Sequence, residues 1–281
     1  MRVAVTGSRG FIGSALVESL ERDDHEVVRV ARDDIRAEVF DGAEAVVHLA
    51  GEPIGASRWS PEQKRRILDS RTEATTSLAT VLVAMHDGPR VLVSGSAVGY
   101  YGDRGDELLR EDSGPGNDFL AHVCRAWEAA TDAASDAGVR VAHIRSGLVL
   151  GRGGALAKML PLFRFGLGGR FGSGRQWWSW ISLDDEVGAI RYLLDHDISG
   201  PVNLTGPAPV TNAEFTGALG RVMRRPAVLP VPRFGPALLL GRELADQLLF
   251  SSQRVEPAVL AHHGYRFLHT DVESALAPAI A

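Results

Sequence analysis

Seven residues beginning at Gly7 constrain this chain more than any others. Arg2-Val3-Ala4-Val5-Thr6 is a short apolar run, and it leads into Gly7-Ser8-Arg9-Gly10-Phe11-Ile12-Gly13. An amphipathic stretch then runs from Phe11 to Leu20. Strand, glycine turn and helix stand in the order that a dinucleotide-binding βα unit requires. Gly7 permits the tight turn off the strand, and Gly10 lets backbone approach a pyrophosphate. Gly13 lets the helix sit close on the sheet, and the first N–H groups of the helix face the anion. The spacing is GxxGxxG, not the GxGxxG of classical dehydrogenases. An ordinary glycine-rich turn is the competing reading, and the strand–turn–helix order weighs against it.

The rest of the chain supplies the frame such a unit needs. Val27–Ala31, Ala45–Ala50, Arg90–Ser94 and Val139–Ile144 are short runs apolar on both faces, as buried parallel strands are. Helical patterns over Pro61–Met85 and Phe119–Asp136 alternate with them. Alternation of this kind predicts an α/β fold, a doubly wound parallel sheet of Rossmann type. A chain of 281 residues holds one such domain plus a small lobe. Four of the 14 prolines precede residue 150 and ten follow it. We therefore expect a dinucleotide-binding domain over 1–150. Residues 151–281 are expected to return in part to the sheet, at Pro201–Leu204, and in part to form a smaller C-terminal substrate lobe.

Composition excludes several classes. A net charge of −5 leaves no basic footprint for nucleic acid. No apolar run approaches the ~20 residues of a membrane span. The first strand begins at residue 2, where a signal peptide would lie, and the single cysteine, Cys124, fits a reducing compartment. A cytoplasmic protein, monomeric or homodimeric, is the expectation. The histidines lack ligand spacing, so no metal site is expected. Cys124 sits in a helical pattern beside Val123 and Trp127 and reads as core rather than as a nucleophile.

Several segments together resemble the extended short-chain dehydrogenase/reductase family. These are the glycine loop, His48-Leu49-Ala50-Gly51, Ser94-Gly95-Ser96 with Tyr101-Gly102, Trp180-Ile181-Ser182-Leu183-Asp184-Asp185 and Val202-Asn203-Leu204-Thr205-Gly206. GEPIGASRW, SAVGYYGD, RSGLVLGRGG and LLFSSQRVEP resemble its epimerase-family branch, sometimes labelled sugar-nucleotide epimerase or cell-division-inhibitor-like. That branch has a C-terminal segment of its own, which residues from about 230 to 276 resemble. The resemblance implies an NADP-binding oxidoreductase of unsettled substrate. It places Leu49, Ala50 and Gly51 under the adenosine and Ser94 and Val149 on the cofactor side.

One departure stands out. The wider family uses a Tyr-xxx-Lys pair, in which the lysine charge lowers the tyrosine pKa for proton transfer. This chain has two lysines, Lys64 and Lys158, and the residues four before them are Ser60 and Gly154. The pair is therefore missing. Ser96 keeps the serine position and can polarise a carbonyl oxygen. Tyr101, or its neighbour Tyr100, can bring a phenol, and His122 titrates near neutrality if it faces the cleft. The plainer readings are that Tyr101 packs at the turn and His122 is a solvated helix residue.

The second strand ends Val28-Arg29-Val30-Ala31-Arg32. An NAD enzyme places an acid there for the ribose 2′-hydroxyl. Ala31 and Arg32 stand in its place, and Arg9 can reach the same corner, so a 2′-phosphate and hence NADP(H) is expected. Arg71 is a third candidate, by its family-like Ser-Arg context. On the substrate side, Arg175 and Trp177 are candidates to line a small anionic or sugar-like ligand. Surface arginines and core indoles are the alternative. The leading expectation is an NADP(H)-dependent oxidoreductase or epimerase-like enzyme acting on a carbonyl or alcohol. Its rivals are a non-enzymatic NADP(H)-sensing or regulatory protein and a nucleotide-sugar epimerase.

Overall fold

The computed structural model describes residues 1–280. Its strands are β1 (Arg2–Thr6), β2 (Glu26–Val30), β3 (Ala45–His48), β4 (Val91–Ala97), β5 (Leu108–Leu109), β6 (Arg140–Ser146), β7 (Leu148–Leu150), β8 (Trp177–Trp178), β9 (Trp180–Ser182), β10 (Gly200–Leu204), β11 (Val210–Thr211) and β12 (Arg254–Val255). The α-helices are α1 (Phe11–Arg22), α2 (Pro61–Ala84), α3 (Phe119–Ala129), α4 (Asp132–Asp136), α5 (Gly154–Arg164), α6 (Leu183–Asp195), α7 (Asn212–Met223), α8 (Phe234–Leu240), α9 (Arg242–Ala245), α10 (Ala258–His262) and α11 (Val272–Ile280). Among the described residues, no helix is long and apolar enough to cross a membrane.

Six strands form one sheet in the order β10-β6-β4-β3-β1-β2, every neighbouring pair parallel. This is the doubly wound Rossmann-type sheet, with its order reversing beside β1. Both faces are covered because successive strand residues point to opposite sides. Val5, Val47, Val93 and Ile144 pack with Leu16 and Leu20 of α1 and Ile190 and Leu193 of α6. Ala4, Val46, Leu92 and Val141 pack on the other face with Leu78 and Leu82 of α2. A separate cluster of Leu156, Phe163, Trp178, Trp180, Phe215 and Leu276 forms the core of the C-terminal lobe.

Two differences from expectation bear on the site. The single helix expected over Phe119–Asp136 breaks between α3 and α4. Thr131 Oγ1 donates to the Glu128 carbonyl at 2.8 Å and pairs with His143 Nε2 at 2.8 Å, and such local bonding competes with the helix ladder. The fourth strand runs past Ser94 to Ala97 because β6 continues beside it, pairing Gly95 with Ile144 and Ala97 with Ser146.

Candidate active site

At the sheet's switch point, Gly7 turns off β1 at φ +68°, and a side chain there would collide with the backbone of Leu49 at the end of β3. At Gly13 a Cβ would stand 2.2 Å from the Gly7 carbonyl oxygen, so helix and turn touch backbone to backbone. Gly10 differs: a Cβ there meets only the Gly7 oxygen, at 3.1 Å, and otherwise faces open space. Gly10 is also the N-cap of α1. No side chain caps this helix, and its first turn carries no acid. The N-terminal N–H groups thus remain free for an anion. Ser8 is half-buried in the loop, Arg9 is exposed, and Phe11 and Ile12 are half-buried as α1 begins.

The adenosine end is built from β2 and β3. Ala31 and Arg32 are exposed just past β2. Among the described residues, no hydrogen bond or ion pair holds Arg32, while Arg36 is taken by Asp34 at 2.6 Å. Arg32 lines a groove with Ser70 and Glu73 of α2. His48 is wholly buried between Thr6 Oγ1 (2.8 Å) and Thr75 Oγ1 (2.9 Å), and burial lowers its pKa to about 4. This neutral clasp ties β1, β3 and α2 together beneath Leu49, Ala50 and Gly51. Arg71 lies under Gly51, is buried, and donates from Nη1 to the carbonyls of Glu52 and Ile67. It supports the loop from below rather than standing free on the cofactor groove.

Beyond the carboxyl ends of β4 and β6 lies a cavity of about 270 Å³. The cleft face of α3 presents Leu120, Val123, Cys124 and Trp127, the spacing of one helix stripe. Leu120 and Cys124, like Val123 and Trp127, are a cleft-facing pair four residues apart. They have the Tyr-xxx-Lys spacing, and neither carries its chemistry. Burial pushes the Cys124 thiol up to about 12. The opposite wall comprises Ser146, Gly147 and Leu148, then Trp177 to Ser179, and the segment from Gln247 to Gln253.

Of the expected catalytic residues, Ser96 and Tyr101 share one buried network through Glu128 and Arg145, and His122 stands apart from it. Ser96 is buried and its Oγ donates to Glu128 Oε1 at 2.7 Å, behind the cleft. Glu128 in turn accepts a bidentate pair from Arg145, both bonds at 2.9 Å. Tyr101, expected as a proton donor, is fully buried instead. Its hydroxyl donates to Asn203 Oδ1 at 2.7 Å and accepts from Arg145 at 3.0 Å, and burial pushes its pKa to about 12. His122 is exposed on the face of α3 turned away from the cleft, because its neighbours Ala121 and Val123 are the buried ones. Ser94 is wholly buried within β4, and Val149 pairs with Ile181 between β7 and β9. Of the substrate-side pair, Trp177 lines the cleft, with Nε1 donating to Asp106 at 2.9 Å. Arg175 is exposed on a separate groove with Asp103 and Asp106. Sequence spacing brought these two together; the turn into β8 sends them to different surfaces.

Two residues overlooked in the sequence are prominent here. Ser146, on the cleft wall, donates its Oγ to Glu186 Oε1. Glu186, near the start of α6, is wholly buried and its Oε2 has no partner. Burial raises its pKa to about 8, the Ser146 bond opposing this in part. The carboxyl thus holds its proton at neutrality. The sequence signal was faint: one more acid after Asp184-Asp185, whose Asp185 instead accepts from the backbone of Leu268 and His269.

The sheet order, the glycine turn and the cleft at the strand ends define a protein of the Rossmann-type dinucleotide-binding class. The chain belongs to the NAD dependent epimerase/dehydratase family, whose model matches residues 3–205. A second model, Domain of unknown function (DUF1731), matches residues 231–279. The Epimerase family protein ML0860 of Mycobacterium leprae is 42% identical over 294 residues, spanning 99% of this chain and 95% of its own. The crystal structure of human epimerase family protein SDR39U1 with NADPH superposes with a TM-score of 0.94 at 34% identity, covering 99% of both chains. A nucleoside-diphosphate sugar epimerase from Corynebacterium glutamicum matches at 39% identity and a TM-score of 0.81, this chain spanning 58% of it.

Proposed function

We propose that this chain is an NADP(H)-dependent oxidoreductase or epimerase-like enzyme acting on a carbonyl or alcohol carbon of a small molecule. One observation carries the cofactor: the acid expected of an NAD site is missing after β2, and the unpaired Arg32 stands there instead. The open face of Gly10 and the uncapped, acid-free start of α1 suit the pyrophosphate. The human relative's structure with NADPH supports the same reading.

NADP(H), when bound, supplies or accepts a hydride. The chain's own contribution is positioning, exclusion of water and a proton. Gly10 and the α1 N–H groups orient the phosphates, Arg32 and Arg9 hold the 2′-phosphate, and Leu49 to Gly51 support the adenosine. Ser94 and Val149 remain assigned to the cofactor side. Glu186, protonated at neutrality, is a proton store that reaches the cleft through Ser146, in place of Tyr-xxx-Lys. Ser96 acts through Glu128, fixing the wall rather than touching substrate.

Calorimetric titration tests the cofactor. NADPH is expected to bind at least about tenfold more tightly than NADH, and Arg32→Asp to erase that gap. Equal affinities in the wild type would overturn it. The pair Leu120 and Cys124 favours a second reading, an NADP(H)-sensing protein without turnover. Single-turnover hydride transfer to a carbonyl panel separates the two, because a sensor shows none, whereas an enzyme loses about 10²-fold with Ser146→Ala.

A further inference from the structure

Charge is distributed unevenly along this chain. Residues 151–183 hold five lysines and arginines, and residues 215–242 hold five arginines. Neither segment holds an acid. The remaining residues carry 20 cations against 35 acids, a balance of −15. The fold brings the two basic segments together. Val231 N–H donates to the Arg170 carbonyl at 2.8 Å, and Gly172 N–H donates to the Val231 carbonyl at 2.9 Å. At Gly169 a Cβ would run into the Leu229 carbonyl, so the two loops lie backbone on backbone.

The same segments are apolar where they meet solvent. Of the 12 large hydrophobic side chains exposed among the described residues, eight belong to these two segments, so the exposure is clustered and not scattered. Phe165 and Val228, on the adjoining loops, are each 81% exposed. Helix α8 follows, with Phe234, Leu238 and Leu239 at least 71% exposed and only Pro236 buried. Scattered apolar residues are ordinary on a surface, whereas a cluster of them marks a contact face. Arg170, Arg224 and Arg225 beside them are exposed, and among the described residues no hydrogen bond or ion pair engages their side chains. The acids of neighbouring α9 are already answered. Asp246 lies between Arg233 at 3.1 Å and Arg242 at 3.7 Å, and Glu243 pairs with Lys64 at 2.5 Å.

We propose that this edge of the C-terminal lobe docks on an anionic lipid surface. Phe165, Val228 and the exposed side of α8 enter the acyl boundary, and Arg170, Arg224 and Arg225 meet the headgroups. Apolar insertion and headgroup attraction add in such an attachment, and the protein lies on the bilayer without crossing it. The negative balance of the remaining residues turns the rest of the molecule away from the same surface. A second copy of the chain fits this edge poorly, because a two-fold contact would set each free arginine against the same cationic patch. Nucleic acid would neutralise the arginines but leave the aliphatic side chains in water.

The test is co-sedimentation of the full chain with phosphatidylcholine vesicles and with phosphatidylglycerol-rich vesicles. The anionic vesicles should bind about tenfold or more tightly, and the difference should shrink as salt rises. Phe165→Ser with Val228→Ser, and separately Arg224→Glu with Arg225→Glu, should each weaken that binding by about tenfold or more with an unchanged melting temperature. Arg22→Glu with Arg29→Glu makes the same charge change on α1 and β2 and should weaken it by less than about twofold. Equal binding to both vesicles, binding to neither, or full binding by either patch variant would overturn the proposal. Capture of polyglutamate by a chain that ignores both vesicles would overturn it too, and would assign the edge to an acidic protein.

Discussion

Glu186 shows how much one buried side chain can change with pH. A wholly buried acid with one unpaired oxygen does nothing for stability at neutral pH. Unfolded, it loses its proton near 4.5; folded, it keeps it to about 8. Folding is thus unpenalised below about pH 4.5 and increasingly penalised from there to about 8, a cost on the order of 3 kcal/mol at neutrality. We expect Glu186→Gln, which cannot ionise, to melt higher than wild type at pH 8, with the gain vanishing near pH 4. Thermal melts at the two pH values check this, and an equal shift at both would remove the buried-acid account. Tyr101 is the converse case. Tyr101→Phe leaves Asn203 Oδ1 without its donor and removes one acceptor from Arg145. Denaturant unfolding should show a loss of about 1–3 kcal/mol with NADPH affinity unchanged. A fully stable variant that had lost hydride transfer would return Tyr101 to the chemistry.

Among the elements, the turn between β1 and α1 divides labour between two glycines. A side chain at Gly13 runs into backbone, whereas one at Gly10 enters open space. Gly10→Val should therefore abolish cofactor binding and leave the circular dichroism spectrum intact, while Gly13→Val should lower the melting temperature itself. If Gly10→Val binds NADPH as wild type does, the phosphates lie elsewhere. The same logic reads α3. Its stripe of Leu120, Cys124 and Trp127 was legible as helix from spacing alone. Which face met the cleft was not, because Asp118 capping its start and Gln247, whose Oε1 accepts from the Leu120 N–H from far along the chain, set its rotation.

For the molecule as a whole, the cleft is a joint product of distant segments. The wall from Gln247 to Gln253 is held by Ser252, whose Oγ donates to the Gly105 carbonyl and accepts from Trp177 N, and by β12 pairing with β5. The same C-terminal region buries Val255, Leu260 and Leu276 completely. A chain ending at Pro230 should lose these contacts together and show no cooperative melt. A soluble truncation binding NADPH like the full chain would make the C-terminal segment an appendage. Local signals determined the sheet, the glycine turn, the Arg32 corner and the loss of Tyr-xxx-Lys, because hydrophobic period and turn chemistry act over a few residues. Tertiary structure alone decided that Tyr101 and Ser96 turn inward, that Arg175 leaves Trp177, and that Ser146 meets Glu186 while Trp127, Trp178 and Ser251 gather around one cavity. Those directions depend on strand ends and loops packed across dozens to more than a hundred residues of intervening chain, and no short-range pattern encodes them.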